Sequence, residues 1–285
     1  MALSPIKLAY SVDADDAFMF HALLQGKIDL RGLAFEHRRA DTATLNALAE
    51  KEEADVVAVS LGAYPALAAR YLLLPHGASV GRGYGPVVVA RKPTSLGALE
   101  GRRVAIPGES TTAWLVLRLM QKGLIPVVVP ISPFSRVWES LDRGEVDAAL
   151  LIHEGRLLYQ QRGFVQVAEL GVWWTARTGL PLPLGVNVIR RELGEARIAQ
   201  VSRVLSDAIE WALGNRQAVI GAIAGESRGD AALTGAELLD TYLGMYANAD
   251  TRAMAPDVRR AIEVLFEEAS KAGLLSAKTP IAWAP

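Results

Sequence analysis

From residue 6 to about residue 170, short apolar runs alternate with amphipathic helical patterns, and this alternation constrains the fold more than any other feature. Strands that alternate with helices predict βαβ units and parallel sheets. The predicted strands are residues 6–10, 33–37, 54–59, 86–90, 102–106, 127–130, 146–152, 164–170 and 186–189. Beyond them the patterns are helical, at residues 195–213, 216–224, 235–246 and 256–272. The sequence therefore predicts an α/β fold with parallel-rich sheets and a helical C-terminal segment.

The strands fall into two blocks, each the size of a small domain. We expect lobe one to comprise residues 1–90 and 187–285, and lobe two to comprise residues 91–186. Because residues 86–90 and 186–189 bracket the second block, we expect these two segments to run side by side as the connection between the lobes. Such a connection would allow the cleft to open and close.

One buried strand ends in a cluster of polar side chains. The apolar run within residues 146–152 stops at His153, Glu154, Gly155 and Arg156. Ligands bind at the carboxyl ends of strands in open α/β sheets, so these residues are candidates for the functional site. The alternative is a solvated turn in which the histidine has a structural role.

A second polar cluster, Ser110, Thr111 and Thr112, follows the strand at residues 102–106 and opens an apolar helix. The free N–H groups of a helix start suit a carboxylate or a phosphate, although one hydroxyl would also serve as an ordinary cap. Ser11 and Ser60 end two strands of lobe one. We expect both clusters and both serines to face each other across a ligand cleft.

Composition narrows the function further. With a net charge of −1 and no basic block among 285 residues, the sequence argues against nucleic acid or an anionic membrane as a partner. The absence of cysteine excludes disulfides and thiol nucleophiles. Asp13, Asp15 and Asp16 are more simply explained as helix caps than as metal ligands, so no metal is predicted. With neither a signal sequence nor a membrane span, the chain is expected to be soluble and cytoplasmic.

Four motifs in this order and spacing identify a resemblance that covers nearly the whole chain. They are Ser60-Leu61-Gly62-Ala63-Tyr64-Pro65, Pro107-Gly108-Glu109-Ser110-Thr111-Thr112-Ala113, Ile152-His153-Glu154-Gly155-Arg156 and Gly179-Leu180-Pro181-Leu182-Pro183-Leu184-Gly185. The set resembles the 1,4-dihydroxy-6-naphthoate synthases of futalosine-pathway menaquinone biosynthesis. This resemblance implies a two-lobed, periplasmic-binding-protein-like (type II) fold.

The resemblance also implies an activity. Members of that family act as carbon–carbon lyases that convert cyclic dehypoxanthinyl futalosine, a small carboxylate substrate, to 1,4-dihydroxy-6-naphthoate. They use a histidine as general base and no cofactor. By position the base is His153, and the predicted substrate-binding residues are Ser11, Ser60, Ser110, Thr111, Thr112, Glu154 and Arg156.

The first loop departs from a common pattern of this family, Ser-Pro-Cys-Pro-Asn-Asp-Thr-Phe. The chain has Ser11-Val12-Asp13-Ala14-Asp15-Asp16-Ala17-Phe18, which retains the serine, the second acid and the phenylalanine. Two alternatives share the scaffold: an intracellular solute-binding protein without catalysis, and the chorismate dehydratase of the same pathway. The sequence makes no prediction of oligomeric state.

Overall fold

The computed structural model describes residues 4–226, 235–275 and 279–285, and the fold is built around two β-sheets. The first sheet has the strand order β2-β1-β3-β11-β4, and β5 also pairs with β11. Its strands are β1 (Ile6–Ser11), β2 (Phe35–Ala40), β3 (Val56–Ser60), β4 (Tyr71–Leu73), β5 (Ser79–Gly81) and β11 (Leu182–Arg190). Strands β1, β2 and β3 are parallel, whereas β11 runs antiparallel to β3, β4 and β5.

The second sheet has the strand order β10-β6-β9-β7-β8. Its strands are β6 (Val87–Ala90), β7 (Arg103–Ile106), β8 (Ile125–Val128), β9 (Ala148–Leu151) and β10 (Val165–Glu169). Strand β7 is parallel to β8 and β9, and β6 is antiparallel to β9 and β10. All four residues of β9 are buried, as expected for an interior strand that reads as a continuous apolar run.

Helices cover both sheets and make up the C-terminal part of the chain. They are α1 (Ala14–Leu24), α2 (Thr42–Glu50), α3 (Tyr64–Leu67), α4 (Thr112–Met120), α5 (Ser135–Asp142), α6 (Gly155–Leu158), α7 (Leu170–Thr178), α8 (Glu195–Gly214), α9 (Arg216–Ile223), α10 (Ala236–Tyr246), α11 (Ala249–Arg252) and α12 (Pro256–Lys271). Apolar residues of α8 pack with those of α1 in one core cluster, and those of α12 pack with residues of β3 and β11 in another. The C-terminus also returns to the first sheet, where the Ala284 N–H donates to the carbonyl of Leu73.

The predicted pairing of residues 86–90 with 186–189 is wrong. Strand β6 belongs to the second sheet, whereas β11 lies in the first sheet between β3 and β4. All four residues of β6 and six of the nine residues of β11 are buried. Their backbone groups need hydrogen-bond partners, and each strand finds them within its own sheet.

The two chain crossovers between the sheets do meet, but at other residues. The Leu170 N–H donates to the carbonyl of Pro86 over 2.9 Å. A Cβ atom at Gly171 would lie 2.0 Å from the carbonyl oxygen of Tyr84, so only glycine allows this approach. Residues 87–90 lie in the second sheet and residues 182–186 in the first, so the lobe boundaries expected at residues 90 and 186 do not coincide with the division into sheets.

None of the helices in the described part of the chain is long and apolar enough to cross a membrane. Residues 1–3 of the N-terminal stretch, in which the sequence shows no signal peptide, lie outside the described residues.

A buried histidine between β4 and β5, His76, predicts how stability depends on pH. His76 is 4% exposed, and burial lowers the pKa of its imidazole to about 4. The ring is therefore neutral in the folded protein at pH values where the unfolded chain already binds a proton. The contribution of His76 to the free energy of unfolding is fully present above a pH of about 6.5. It is lost as the pH falls toward 4, and the total loss is about 3 kcal/mol.

Urea unfolding at pH 7 and pH 4.5 should therefore show a smaller pH effect in His76→Gln than in the wild type. The exposed His37→Gln is the matched control and should retain the wild-type pH dependence. Equal pH dependence in all three proteins would contradict this account.

Candidate active site

His153 stands just beyond the end of β9 in a left-handed backbone conformation. Its φ angle is +52°, which residues with a side chain seldom adopt. Residues held in such conformations cluster at functional sites, because the surrounding structure must compensate for the strain. Gly155 follows at the start of α6, and a Cβ atom there would lie 2.0 Å from the ring of Phe134. The His-Glu-Gly sequence thus forms a tight turn that presents the imidazole at the strand end.

Two residues that follow strands of the first sheet contact the imidazole. Nδ1 of His153 lies 2.5 Å from Oδ2 of Asp13, and Nε2 lies 3.1 Å from Oγ1 of Thr42. Asp13 immediately precedes α1, and Thr42 is the first residue of α2. The side chains of His153 and Asp13 are 19% and 6% exposed. The histidine is therefore fixed in orientation by groups that come from the first sheet.

The same contacts control protonation. Burial disfavours the charged imidazole, but the charge and hydrogen bond of Asp13, together with the charges of Asp15 and Glu154, outweigh it and raise the pKa of His153 to about 9. Burial likewise raises the pKa of Asp13, but the charge and hydrogen bond of His153 outweigh that effect and hold it below the usual value. The free protein therefore holds an imidazolium–carboxylate pair at neutral pH.

Two further carboxyl groups lie beside this pair. Burial and the charge of Asp13 raise the pKa of Asp15 to about 7. Asp15 accepts hydrogen bonds from Ser79 Oγ at 2.5 Å and from the Tyr242 hydroxyl at 3.2 Å. Asp16 accepts from the backbone N–H of Ser11 at 2.6 Å, and burial raises its pKa well above the usual value. The first loop is therefore a set of buried acids with distinct protonation states.

These groups line a cavity that is open to solvent and lies between the two sheets. Clefts between two units of a fold are common sites for small ligands. The predicted residues that line the cavity are Ser11, Ser60, Thr111, Thr112, His153 and Arg156. Predicted residues Ser110 and Glu154 are not part of its lining.

Ser110 lies behind the cavity wall in a network that joins the sheets. Asn46 Nδ2 donates to Ser110 Oγ at 2.9 Å, and Asn46 Oδ1 accepts from the backbone N–H of Ser60 at 3.0 Å. One buried amide thus positions both serines. The local sequence pattern places Asn46 within a helix and does not predict that its side chain contacts both serines.

The threonines at the start of α4 have protein partners for their hydroxyls. Thr111 Oγ1 donates to the carbonyl of Gly108 and accepts from the backbone N–H of Trp114, which makes Thr111 the N-cap. Thr112 Oγ1 donates to the carbonyl of Leu184 and accepts from the backbone N–H of Gly62. The backbone N–H groups of Thr112 and Ala113, both residues of the cavity wall, have no hydrogen-bond partner within the part of the chain that the structure describes. They are the groups at this helix start that remain for an anion.

Glu154 and Arg156 have structural contacts of their own. Glu154 is 2% exposed and accepts a hydrogen bond from the backbone N–H of Ala14 at 3.0 Å. It therefore caps the start of α1 from the opposite sheet, while Asp13 takes the place next to the histidine. Arg156 pairs with Glu169 at 2.8 Å and donates to the carbonyl of Gly85 at 2.7 Å, so it secures the crossover between the sheets.

Sequence reasoning missed several residues that line the cavity. They are Asp13, Asp15, Asp16, Thr42, Ser79, Asn187 and Tyr242. The acids were assigned as helix caps, yet the side chain of Asp13, the residue that precedes α1, caps no backbone N–H. The signal that could have found them is the concentration of acids after the first strand.

Among the described residues, Asp13, Asp15 and His153 form a set that could hold a metal ion. Each offers one ligand atom, and these atoms lie within 4.8 Å of one another. The 2.5 Å contact between Asp13 and His153 joins two of these groups directly, as an acid–imidazole pair does. The absence of a metal therefore stays a prediction.

Comparison with known proteins places this site in a family. Residues 6–271 match a family model described as menaquinone biosynthesis. The chain is 37% identical over 272 residues to the 1,4-dihydroxy-6-naphthoate synthase of Thermus thermophilus, with 95% of this chain and 96% of that relative covered.

Solved structures share the fold of this chain. A protein from Archaeoglobus fulgidus is 41% identical, has a TM-score of 0.86, and covers 95% of this chain with 98% of its own. A Candida albicans protein with the generic periplasmic binding protein fold is 15% identical with a TM-score of 0.71, and 96% of this chain and 92% of that one are covered. The second likeness concerns the fold alone, and it confirms the predicted periplasmic-binding-protein-like architecture. The family model and the relatives span both sheets and the cavity between them, and the chain belongs to the menaquinone biosynthesis family.

Proposed function

We propose that the protein converts cyclic dehypoxanthinyl futalosine to 1,4-dihydroxy-6-naphthoate in menaquinone biosynthesis, as a carbon–carbon lyase that uses no cofactor. The observation that carries this proposal is the buried His153–Asp13 pair, which lines a cavity between the two sheets. The Thermus thermophilus relative, which is a 1,4-dihydroxy-6-naphthoate synthase, supports it. A biosynthetic enzyme of this kind would work in the cytoplasm.

His153 is the proposed general base. Because Nδ1 donates to Asp13, the neutral imidazole carries its lone pair on Nε2, the atom now beside Thr42. A carboxylate that accepts from one ring nitrogen fixes the tautomer and stabilises the imidazolium that forms after proton transfer. In this arrangement of the two sheets the base is therefore held in one orientation.

The substrate carboxylate is proposed to bind at the start of α4. The free N–H groups of Thr112 and Ala113 and the positive end of the helix dipole favour an anion there. The negative charge of Asp13, with that of the partly ionised Asp15, repels an anion, so the carboxylate is directed away from the first loop. Ser60, at the end of β3, is a second polar group of the same cavity.

Loss of the N-cap hydroxyl tests this position. Thr111→Val removes the hydrogen bond to the N–H of Trp114 and should loosen the helix start, at a cost of about 0.5–2 kcal/mol in stability. We expect the affinity for 1,4-dihydroxy-6-naphthoate to fall about tenfold or more, measured by isothermal titration calorimetry. Thr111→Ser, which keeps the hydroxyl, is the matched control. If Thr111→Val and Thr112→Val both bind the naphthoate within twofold of the wild type, the carboxylate binds elsewhere.

The activity itself is tested by incubation with cyclic dehypoxanthinyl futalosine and detection of the naphthoate by mass spectrometry. Product formation that depends on the protein supports the proposal. Tight binding without product would favour the solute-binding alternative, and turnover of chorismate instead would favour the dehydratase.

We also propose that the two sheets, each with the helices that cover it, form two lobes that close over the substrate. The lobes expected as residues 1–90 with 187–285 and residues 91–186 would then exchange β6 and the start of β11, which lie in the second and the first sheet. In support, His153 comes from the second sheet and its partners Asp13 and Thr42 come with the first. The catalytic arrangement would then be complete only in the closed form.

A further inference from the structure

We propose that the side-chain amide of Asn187 is a substrate-binding group that takes a neutral hydroxyl of the ligand. This inference rests on the proposed function and assigns to Asn187 a role in the same cavity. It follows from the hydrogen bonds that the amide lacks, from its neighbours and from the charges around it.

The amide of Asn187 is buried but unpaired. The residue is 0% exposed, and within the described residues neither Nδ2 nor Oδ1 has a hydrogen-bond partner. Leaving a buried amide unpaired is unfavourable, because its polar groups lose their hydrogen bonds to water without gaining others. Such groups are rare in native proteins and call for an explanation. Here the explanation is position, since Asn187 lines the cavity.

Asn46 provides the internal comparison. It is an asparagine of the same site, 1% exposed, and both ends of its amide are paired, with Ser110 and with the backbone of Ser60. One buried asparagine therefore supports the structure, whereas the other presents a donor and an acceptor with no protein partner.

The backbone fixes where the Asn187 amide points. Asn187 pairs with Ala58 and Gly185 pairs with Ser60, so the two β11 residues share a face of the first sheet with small partners. A Cβ atom at Gly77 would lie 2.0 Å from Nδ2 of Asn187, so the amide is held closely against that glycine. Asn187, Gly77 and Gly185 all belong to the cavity lining, so the buried amide lies in the cavity wall.

The surroundings select a hydroxyl over a charged group. Asp13, whose pKa is held below the usual value, and Asp15, whose pKa is about 7, carry negative charge in the same cavity, and this charge disfavours an anion beside them. Ser79 and Tyr242 already direct their hydroxyls to Asp15. A hydroxyl both accepts from Nδ2 and donates to Oδ1, so it satisfies both ends of the amide. The substrate would therefore lie with its carboxylate at α4 and a hydroxyl at Asn187.

The test compares Asn187→Leu with Asn46→Leu, two substitutions of an amide by an apolar group of similar size. Asn187→Leu removes an unpaired amide, so its melting temperature should equal or exceed that of the wild type. Asn46→Leu leaves the Ser60 N–H unpaired, so its melting temperature should fall by several degrees. In assays with cyclic dehypoxanthinyl futalosine, Asn187→Leu should lower kcat/KM about tenfold despite its unimpaired stability.

Three results would each contradict the proposed role of Asn187. If Asn187→Leu melts as early as Asn46→Leu, the amide is structural and the inference is overturned. If kcat/KM of Asn187→Leu stays within twofold of the wild type, the amide does not contact the substrate, and the inference falls while the proposed function stands. A wild-type protein that produces no naphthoate overturns the proposed function and removes the basis of this inference with it.

Discussion

Replacing His153 by glutamine is expected to lower kcat for naphthoate formation by about 10²–10⁴-fold, the range that a positioned general base contributes. Glutamine is polar and of similar length, but it does not take up a proton near neutral pH. The substitution should leave the cavity and the α4 helix start in place, because neither depends on the imidazole. KM should therefore change much less than kcat, which initial rates of naphthoate formation will show.

The backbone at position 153 calls for a second variant. With φ at +52°, asparagine is tolerated better than glutamine, since it is among the residues that enter the left-handed region most readily. His153→Asn should thus fold at least as well as His153→Gln and show the same loss of turnover. His37→Gln, on the exposed face of β2, is the control and should retain full activity. Wild-type kcat in a folded His153→Asn protein would place the base elsewhere.

The sequence predicted the histidine of this site but not the carboxylate that pairs with it. The histidine was predicted because an apolar run that ends in polar residues is a local pattern, and a strand end in an α/β sheet is a place for ligands. Its partner was not predicted, because Asp13 lies far away along the chain and reaches His153 only through the packing of two sheets. Glu154, next to His153 in sequence, was predicted to bind substrate; it accepts a hydrogen bond from the backbone N–H of Ala14 and so caps α1.

In the fold, too, the features that follow from local sequence patterns were predicted and those that depend on distant contacts were not. The longer strands and the C-terminal helices were predicted, since periodicity identifies them. Strands β4 and β5 were missed, each being three residues long, and β5 lies in a glycine-rich stretch that favours a bend. The pairing of β6 was mispredicted because an apolar strand specifies burial but not its neighbour. Pairing across two sheets depends on tertiary contacts that no local pattern contains.

The pH dependence of kcat/KM is expected to reveal the effect of Asp13 on the base. A general base must be deprotonated, and with a pKa of about 9 for His153 only about 1% of the free enzyme is in that form at pH 7. The value of kcat/KM should therefore rise about tenfold per pH unit and reach a plateau above pH of about 9, since this parameter reports the free enzyme.

Asp13→Asn should move that limb of the profile to lower pH. The amide oxygen still accepts from Nδ1, but the negative charge that favours the imidazolium is gone while burial, which disfavours it, remains. The pKa of His153 should then fall, so the variant reaches its plateau at a pH where the wild type is still climbing. The height of the plateau should drop, because an amide stabilises the imidazolium formed during proton transfer less well than a carboxylate does.

Complete pH–rate profiles of wild type, Asp13→Asn and Asp15→Asn will separate these effects. Asp15→Asn is the matched control. The charge of Asp15 also raises the pKa of His153, but among the described residues it is Asp13 whose carboxylate both carries charge and hydrogen-bonds to the ring, so the limb of Asp15→Asn should shift less than that of Asp13→Asn. Identical limbs in all three proteins would show that Asp13 does not control the base. A wild-type kcat/KM that falls between pH 7 and 9 would mean that the imidazolium is the active form. His153 would then act as an acid, and the proton that starts the cleavage would be taken by another group of the cavity.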